Sequence, residues 1–299
     1  MKPRPHPARI ALLLCCFNRR DKTLEALDAV RAQAGLDGVA IDLFVLDDGS
    51  SDGTGAALRA RHPDATLLAG DGSLFWNGGM RRAWDAARAG DYDFYLWLND
   101  DTRLFPDTVR RMLDTHARCE HARGRCGIVV GSTVDDAGRT SYGGELQAGG
   151  LRPLTLRLLD PTEAVQSCDT FNGNCVLVPR RAAATLGNLD ARFVHAMGDT
   201  DYGLRARRAG IPMWIMPGYA GRCVNDNARA GSYQDRSLPL RTRLAKMLGP
   251  KGLPWRPWLL ICRRHAGPLW PVYWAWPYLK VLGSACLPPA AERARMPRT

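Results

Sequence analysis

Three clusters of acidic residues in this sequence could hold a metal ion or the phosphates of a nucleotide. They are Asp47-Asp48, Asn99-Asp100-Asp101 and Gly198-Asp199-Thr200-Asp201. Adjacent carboxylates repel each other unless a positive group lies beside them, and a divalent cation bound through oxygen ligands is a common partner. The alternative for any one pair is a solvated turn, because Asp, Asn and Gly favour turns. The recurrence of the pattern favours a metal or diphosphate site.

Apolar runs that alternate with helical segments predict the α/β framework that positions these clusters. Strands are expected at 10–17, 41–46, 65–68 and 94–98, with helices at 21–34, from Asp52 or Thr54 onward, and at 80–89. Repeated strand-helix units form parallel sheets, and ligands bind beyond the carboxyl ends of their strands. The first two clusters follow strands 41–46 and 94–98, so both should lie at that edge.

The second half of the chain has a more mixed pattern. It predicts strands at 126–130, 174–178 and 212–216, a helix at 180–186, and a helix that begins at the third acidic cluster and covers 202–209. We expect these elements to extend the same α/β domain rather than to form a repeat.

Missing motifs argue against several other chemistries. Residues 48–53 read Asp-Gly-Ser-Ser-Asp-Gly, which is not the GxGxxG of a dinucleotide fold, and no GxxxxGK[ST] phosphate loop occurs. Nine Cys without a CxxC pair indicate a reducing compartment, hence the cytoplasm, and do not support structural zinc. The apolar run 10–17 is too short for a signal peptide, and no unbroken apolar stretch is long enough to span a membrane.

Four motifs follow one another within residues 9–231. They are Cys16-Phe17-Asn18-Arg19, Val45-Leu46-Asp47-Asp48-Gly49-Ser50-Ser51-Asp52-Gly53-Thr54, Trp97-Leu98-Asn99-Asp100-Asp101-Thr102, and Gly198-Asp199-Thr200-Asp201-Tyr202-Gly203-Leu204-Arg205. In type, order and setting they resemble the family 2 glycosyltransferases, the third as the DxD-type and the fourth as the ED-type motif. The resemblance implies the A-type glycosyltransferase fold, a Rossmann-like mixed sheet with flanking helices. Segments 70–80 and 171–175 are similar to a bacterial subgroup with rhamnosyltransferase-type members that build surface polysaccharide.

The same resemblance implies a role for each acidic cluster. Asp48 would contact the nucleotide base, Asp100 the ribose or diphosphate, and Asp101 a Mg²⁺ or Mn²⁺ ion, while Asp199 would take the proton from the acceptor hydroxyl. The donor would be a nucleotide diphosphate sugar, with rhamnose a candidate, and the acceptor a polyprenol-linked or other lipid-linked saccharide in cell-surface polysaccharide synthesis. A double displacement needs a second carboxylate as nucleophile, and Asp201 is better explained as an Arg partner or helix cap. We therefore expect an inverting enzyme.

Two positions depart from the family pattern. Gly198 stands where many members have Glu, and residues 221–225 read Gly-Arg-Cys-Val-Asn, without the His that many members place after the last strand. The third protein ligand of the ion is therefore open. His195 is one candidate, and a structural hydrogen-bonding role is the alternative for it.

The C-terminal segment, residues 236–299, differs in composition from the predicted catalytic domain, residues 1–235. It carries 12 basic side chains against one acidic one, five of the nine Trp residues, and three prolines between 266 and 279. Trp, Tyr and Arg together are typical of a membrane interface, whereas the prolines argue against a straight spanning helix. This composition predicts a peripheral position at the inner face of the cytoplasmic membrane. Packing of the Trp residues on the catalytic domain is the alternative, and we expect no nucleic-acid partner because no nucleic-acid-binding fold is recognised.

A protein that binds nucleotide sugars or transfers nucleotidyl groups without moving sugar is the second function class. Nucleotidyltransferases typically carry a Gly-rich basic loop after the first strand to bind a triphosphate. Here that loop is Asn18-Arg19-Arg20-Asp21 and contains no glycine. The sequence therefore favours glycosyl transfer.

Overall fold

The structure, a computed structural model, describes residues 8–224 and 231–284 and divides them into two compact units. The large unit consists of residues 8–148 and 155–224, and the C-terminal unit of residues 149–154 and 231–284. The functional division into a catalytic domain at 1–235 and a membrane-interfacial segment at 236–299 stays a prediction.

The strands of the large unit form a ten-stranded mixed sheet and a small three-stranded sheet. They are β1 (Ala8–Cys16), β2 (Val39–Asp47), β3 (Thr66–Ala69), β4 (Phe94–Leu98), β5 (Arg103–Leu104), β6 (Ile128–Val134), β7 (Thr140–Tyr142), β8 (Gly144–Gln147), β9 (Leu156–Leu158), β10 (Gln166–Ser167), β11 (Thr170–Phe171), β12 (Cys175–Pro179) and β13 (Met213–Arg222). The path through the large sheet is β10-β13-β6-β12-β4-β1-β2-β3, with β5 beside β13 and β7 beside β6. The small sheet has the order β11-β8-β9.

Strands β1 to β4 pair in parallel, as the strand-helix pattern predicts. Their carboxyl ends therefore lie at one edge, where the motifs after β1, β2 and β4 meet. Strand β12 runs antiparallel between β4 and β6, which makes the sheet mixed. This arrangement confirms the predicted fold class.

Six helices belong to the large unit. They are α1 (Arg20–Arg31), α2 (Thr54–Arg61), α3 (Phe75–Ala87), α4 (Thr108–Arg123), α5 (Arg180–Leu186) and α6 (Gly198–Arg208). Alternate residues of the central strands face two separate cores: Leu13 and Trp97 join Trp84 of α3 in one, and Leu12 joins Leu27 of α1 in the other. Because both faces are covered, the strands read as continuous apolar runs.

The C-terminal unit contains α7 (Leu240–Leu248), α8 (Trp255–His265) and α9 (Trp270–Gly283), with a 3₁₀ turn at Gly267–Leu269. Helix α9 accommodates Pro271 in its first turn, where no intrahelical N–H bond is lost, and Pro277 in its interior. Helices α8 and α9 pack on each other. None of the described helices is long and apolar enough to cross a bilayer.

The described elements differ from the predicted ones in several places, and α4 (Thr108–Arg123) and the three helices of the C-terminal unit have no counterpart among the predictions. Helix α3 begins at Phe75 rather than at residue 80, because Gly78 and Gly79 in its first turns hide the helical pattern. The second glycine permits close packing, since a Cβ at Gly79 would lie 2.1 Å from Cys15 Sγ. Strand β13 continues through Pro217-Gly218 by irregular pairing with β6. The small sheet has strands of only two to four residues, too short to give a periodic signal.

Candidate active site

The loops that follow β1 and β2 are tied to each other. The backbone N–H of Asn18 donates to Ser50 Oγ at 2.8 Å, and Asn18 Oδ1 accepts from the N–H of Ser51 at 2.8 Å. The N–H of Arg20 donates to Asp52 Oδ2 at 3.0 Å. Asn18 adopts a left-handed conformation, φ 51°, which Asn tolerates better than most residues. These contacts fix the backbone on both sides of Arg19.

Arg19 lies between the two carboxylates of the predicted DxD-type motif. Its Nη1 is 2.6 Å from Asp101 Oδ2 and 3.2 Å from Asp100 Oδ1. The side chains of Asp100 and Asp101 are only 12% and 15% exposed. Burial, reinforced by the charge of Asp101 and opposed by Arg19, raises the pKa of Asp100 to about 7. The pair thus shares the Arg19 guanidinium in a poorly solvated position, and the charge of Lys22 also acts on Asp100.

Cys223 contacts the other oxygen of Asp101. Its thiol donates to Asp101 Oδ1 at 3.4 Å and accepts from Asn174 Nδ2 at 3.5 Å. Burial, with the Asp101 charge as a smaller cause, raises the pKa of Cys223 to about 12, so the side chain is a neutral thiol. Cys223 therefore stands beside the carboxylate where the family resemblance led us to look for a His.

The donor chemistry of Asp100 and Asp101 fits a hard divalent cation. Both supply carboxylate oxygens, the ligand type that Mg²⁺ and Mn²⁺ prefer. The Arg19 guanidinium already offsets the repulsion between the two carboxylates. His195 packs edge-on against Phe75, with ring centroids 6.1 Å apart. Metal ligation by Asp101, and by His195 as a third ligand, stays a prediction.

Asp48 holds the loop at residues 70–75. Its Oδ1 accepts from the backbone N–H of Gly72 at 3.0 Å and of Leu74 at 3.4 Å, and its Oδ2 accepts from Phe75 at 2.9 Å. Gly70 is needed for this close approach, because a Cβ there would lie 2.3 Å from Asp48 Oδ1. The carboxylate thus shapes the loop before α3, and its predicted contact with a nucleotide base stays a prediction.

Asp199 lies in the first turn of α6, where the helix dipole favours a negative charge. The N–H of Gly173 donates to its Oδ2 and the N–H of Thr200 to its Oδ1, each at 2.8 Å. Burial raises the pKa of Asp199, and these two backbone donors oppose the rise. A carboxylate with a raised pKa is suited to accept a proton near neutral pH.

Asp201, two residues further along α6, is fully buried. Its Oδ2 accepts from Arg205 Nε at 2.8 Å. This confirms the predicted ion pair of Asp201 with an Arg. Asp199 is thus the carboxylate of the third acidic cluster that contacts the turn at 172–174.

The turn at 172–174 connects the two acidic groups of the site. Gly173 bonds Asp199, while Asn174 accepts from the N–H of Asn99 at 3.1 Å and donates to Cys223 beside Asp101. Trp76 covers the turn: a Cβ on Gly173 would lie 2.5 Å from its ring, and its Nε1 donates to Asn99 Oδ1 at 2.7 Å. The structure thus connects the DxD-type motif and Asp199 through adjacent residues of one turn.

Three residues of this region were not assigned a role from the sequence: Arg19, Glu145 and Cys223. Arg19 lies within the first motif, so its position carried a signal. Glu145 lies on β8 and reaches the site only through strand pairing, and Cys223 differs from the family pattern only in that the segment 221–225 lacks a His. No sequence pattern identifies these last two.

Comparisons with known proteins identify relatives of the large unit. The family model described as Glycosyl transferase family 2 matches residues 12–170. An N-acetylglucosaminyl-diphospho-decaprenol L-rhamnosyltransferase of Mycobacterium tuberculosis is 26% identical over 197 residues, which is 57% of this chain and 62% of the relative. Galactofuranosyltransferase GlfT2 of Mycobacterium tuberculosis is 28% identical over 252 residues, 73% of this chain and 38% of that protein. The chain therefore matches less than two thirds of the length of either relative.

A solved structure supports the fold. Mannosyltransferase PcManGT from Pyrobaculum calidifontis, in complex with GDP-Man and Mn²⁺, superposes with a TM-score of 0.52 at 16% identity. The superposition covers 98% of this chain and 79% of that one. This likeness confirms the predicted A-type glycosyltransferase fold.

Proposed function

Because the chain belongs to glycosyl transferase family 2, we propose that it transfers a sugar from a nucleotide diphosphate sugar to a hydroxyl of a lipid-linked saccharide. One observation carries the proposal: the turn at 172–174 connects two poorly solvated carboxylates, Asp100 and Asp101, with Asp199, through Asn174 and Cys223 toward Asp101 and through Gly173 to Asp199. The first pair is suited to the donor diphosphate and its cation, and Asp199 to the acceptor hydroxyl. Rhamnose is a candidate sugar and a polyprenol diphosphate saccharide a candidate acceptor, since one relative is named for both.

The reaction that this arrangement supports is a single displacement. The acceptor hydroxyl oxygen forms a bond to the anomeric carbon as the bond from that carbon to the diphosphate oxygen breaks. The electron pair of the broken bond goes to the diphosphate, and the hydroxyl proton goes to the carboxylate of Asp199. Attack from the side opposite the leaving group inverts the anomeric configuration.

Asp101, with Asp100 beside it, would hold a Mg²⁺ or Mn²⁺ ion. Such an ion, when bound, neutralises charge that develops on the leaving diphosphate. Asp48 supports the donor side by fixing the loop 70–75, and its assignment to the base of the nucleotide belongs to the same proposal.

We also propose that the C-terminal unit binds the inner face of the cytoplasmic membrane. Val272, Trp276 and Leu279 recur at helical spacing on α9 and are 59%, 59% and 57% exposed. Trp274 and Tyr278, in contrast, are half-buried and donate hydrogen bonds to backbone carbonyls of the same unit. An apolar helix face in a basic segment fits an anionic lipid surface, where each nearby Lys or Arg contributes about 1 kcal/mol.

A donor panel tests the catalytic proposal. The full chain is incubated with Mn²⁺ and individual nucleotide sugars, and release of nucleoside diphosphate is measured with and without a lipid-linked saccharide acceptor. We expect one donor to be turned over and its sugar to appear on the acceptor. Release of pyrophosphate from a nucleoside triphosphate and a sugar phosphate, without sugar transfer, would instead establish the nucleotidyltransferase alternative.

Sedimentation with anionic vesicles tests the membrane proposal. The full chain should bind reversibly at low salt, and Trp276→Ser and Leu279→Ser should each weaken binding. Arg157→Gln is the matched control, because Arg157 is an exposed basic residue of β9 in the large unit. If the full chain ignores such vesicles, the membrane proposal is wrong.

A further inference from the structure

The carboxyl group of Glu145 interacts electrostatically with Asp199, although the two residues come from different elements. Glu145 is paired with Thr170 across strands β8 and β11. Thr170 in turn donates from Oγ1 to the backbone carbonyl of Thr200 at 3.0 Å, in the first turn of α6. The small sheet therefore carries Glu145 to the start of the helix that contains Asp199.

The turn at 172–174 holds both carboxyl groups. The Asn172 amide hydrogen-bonds the Glu145 carboxyl group, and the N–H of the next residue, Gly173, donates to Asp199. The other oxygen of Glu145, Oε2, is buried and has no hydrogen-bond partner among the described residues. A buried carboxylate oxygen without a partner is costly, so this group needs either a proton or a polar ligand.

The start of α6 has no room for a second acidic side chain. A Cβ at Gly198 would lie 1.9 Å from Asn77 Oδ1. Asn77 cannot easily move, because its amide donates to the carbonyls of Asp190 at 3.0 Å and Phe193 at 2.6 Å. A Glu at position 198, which many family members carry, would therefore clash with Asn77. Strand β8 instead supplies the carboxyl group of Glu145 near the start of α6.

The electrostatics of this pocket discourage two simultaneous negative charges. Burial, and then the charge of Asp199, raise the pKa of Glu145 to about 7, and the Asn172 hydrogen bond opposes the rise. Cys168, whose pKa burial raises to about 12, also interacts with Glu145. The next residue, Asp169, donates its backbone N–H to the Glu145 carbonyl at 2.8 Å, while its carboxylate pairs with Arg207 at 3.0 Å. Two coupled carboxyl groups lose their protons in two steps, and the apparent pKa of each step describes the pair and not one residue.

We propose that Glu145 is a positioning residue of the base site, a second carboxyl group whose charge controls whether Asp199 can accept the proton of the acceptor hydroxyl. The inference rests on the proposed role of Asp199 as the base. Below neutral pH the pair keeps one proton, and Asp199 is a poor acceptor whenever it carries that proton. As the pH rises through about 7, the pair loses that proton and Asp199 becomes available.

The pH dependence of kcat/KM tests this role. The wild-type acidic limb should lie near pH 7, and Glu145→Gln should move it to lower pH by about one unit or more, because the neighbouring negative charge is gone. Glu145→Asp keeps the negative charge, so its acidic limb should again lie near pH 7. Glu163→Gln, at an exposed position in a loop, is the matched control and should leave the profile unchanged. If Glu145 had only a structural role, Glu145→Gln would lower kcat/KM at every pH without moving the acidic limb.

A titration of carboxyl groups by ¹³C NMR on the full chain separates this inference from the proposed function. We expect a step near pH 7 that disappears in both Glu145→Gln and Asp199→Asn. If no donor is turned over, the proposed function fails, and the titration still decides whether the two groups form a pair. An unchanged limb in Glu145→Gln, independent titration of the two groups, or retention of the anomeric configuration would overturn the inference, the last because it would make a carboxylate the nucleophile.

Discussion

Replacing Arg19 with Gln removes the positive group that separates the two carboxylates of the DxD-type motif. The guanidinium contacts Asp101 at 2.6 Å and Asp100 at 3.2 Å, and hydrogen bonds to charged groups are worth about 1.5–3 kcal/mol each when buried. Because 38% of the Arg19 side chain is exposed, solvent screening reduces the sum, and we expect a loss of about 1–2 kcal/mol in the absence of metal. For a domain of this size that lowers Tm by about 3–6 °C.

The same change should strengthen metal binding. In the wild-type protein an incoming Mn²⁺ ion competes with the guanidinium for the carboxylate oxygens of Asp100 and Asp101. Without that competitor, the 1–2 kcal/mol converts into an Mn²⁺ affinity about 5–30-fold higher in Arg19→Gln. Saturating Mn²⁺ should then raise the Tm of the variant more than that of the wild type.

Electron paramagnetic resonance of free Mn²⁺, combined with thermal unfolding, measures both effects. Arg20→Gln is the matched control, since the exposed Arg20 side chain forms a salt bridge with the exposed Asp21 and its loss should leave the stability nearly unchanged. If Arg19→Gln binds Mn²⁺ no more tightly than the wild type, the cation and Arg19 do not share the carboxylates, and our reasoning about this site is wrong.

Two further substitutions test the site and its framework. Asp101→Ala should abolish Mn²⁺ binding and most turnover, and Asp101→Asn should be nearly as harmful, because a neutral amide is a weaker ligand for a hard cation; full activity in excess chelator would contradict this. Gly198→Ala should lower the free energy of unfolding by about 1–3 kcal/mol in denaturant titrations, because its Cβ meets the amide of Asn77. Gly283→Ala, where a Cβ has no neighbour within 4 Å, is its control, and equal stability losses in the two variants would refute the steric argument.

The elements with strong local patterns could be predicted from the sequence. Strand β4 and helix α5 have the predicted bounds, because an apolar run of five residues and a helix that follows Pro179 are local signals. Helix α6 begins at the third acidic cluster, as expected for carboxylates near a helix N-terminus. The composition of the C-terminal segment did not predict its three helices, since Pro271 and Pro277 argue locally against α9. The membrane-interfacial role that the composition indicates stays a prediction.

The sequence allowed candidate site residues to be proposed, but it did not predict their contacts. The motif around Asp101 was found because strand ends carry ligands in such sheets, yet nothing in the sequence shows that Arg19 lies between its carboxylates. The predicted contact of Asp48 with a nucleotide base stays a prediction. The hydrogen bonds that its oxygens accept from backbone N–H groups of residues 72–75 have no side-chain signature in the sequence. Glu145 reaches Asp199 through the pairing of two short strands, which only the folded chain reveals.

The kinetics of Asp199→Asn test the central claim most directly. Donor binding is measured by calorimetry, and turnover is measured with the donor that the panel identifies and a lipid-linked acceptor. If Asp199 takes the acceptor proton, the variant should lose about 10²- to 10⁴-fold in turnover while its donor affinity stays nearly unchanged. Turnover close to that of the wild type, or equal losses in donor binding and rate, would contradict the account.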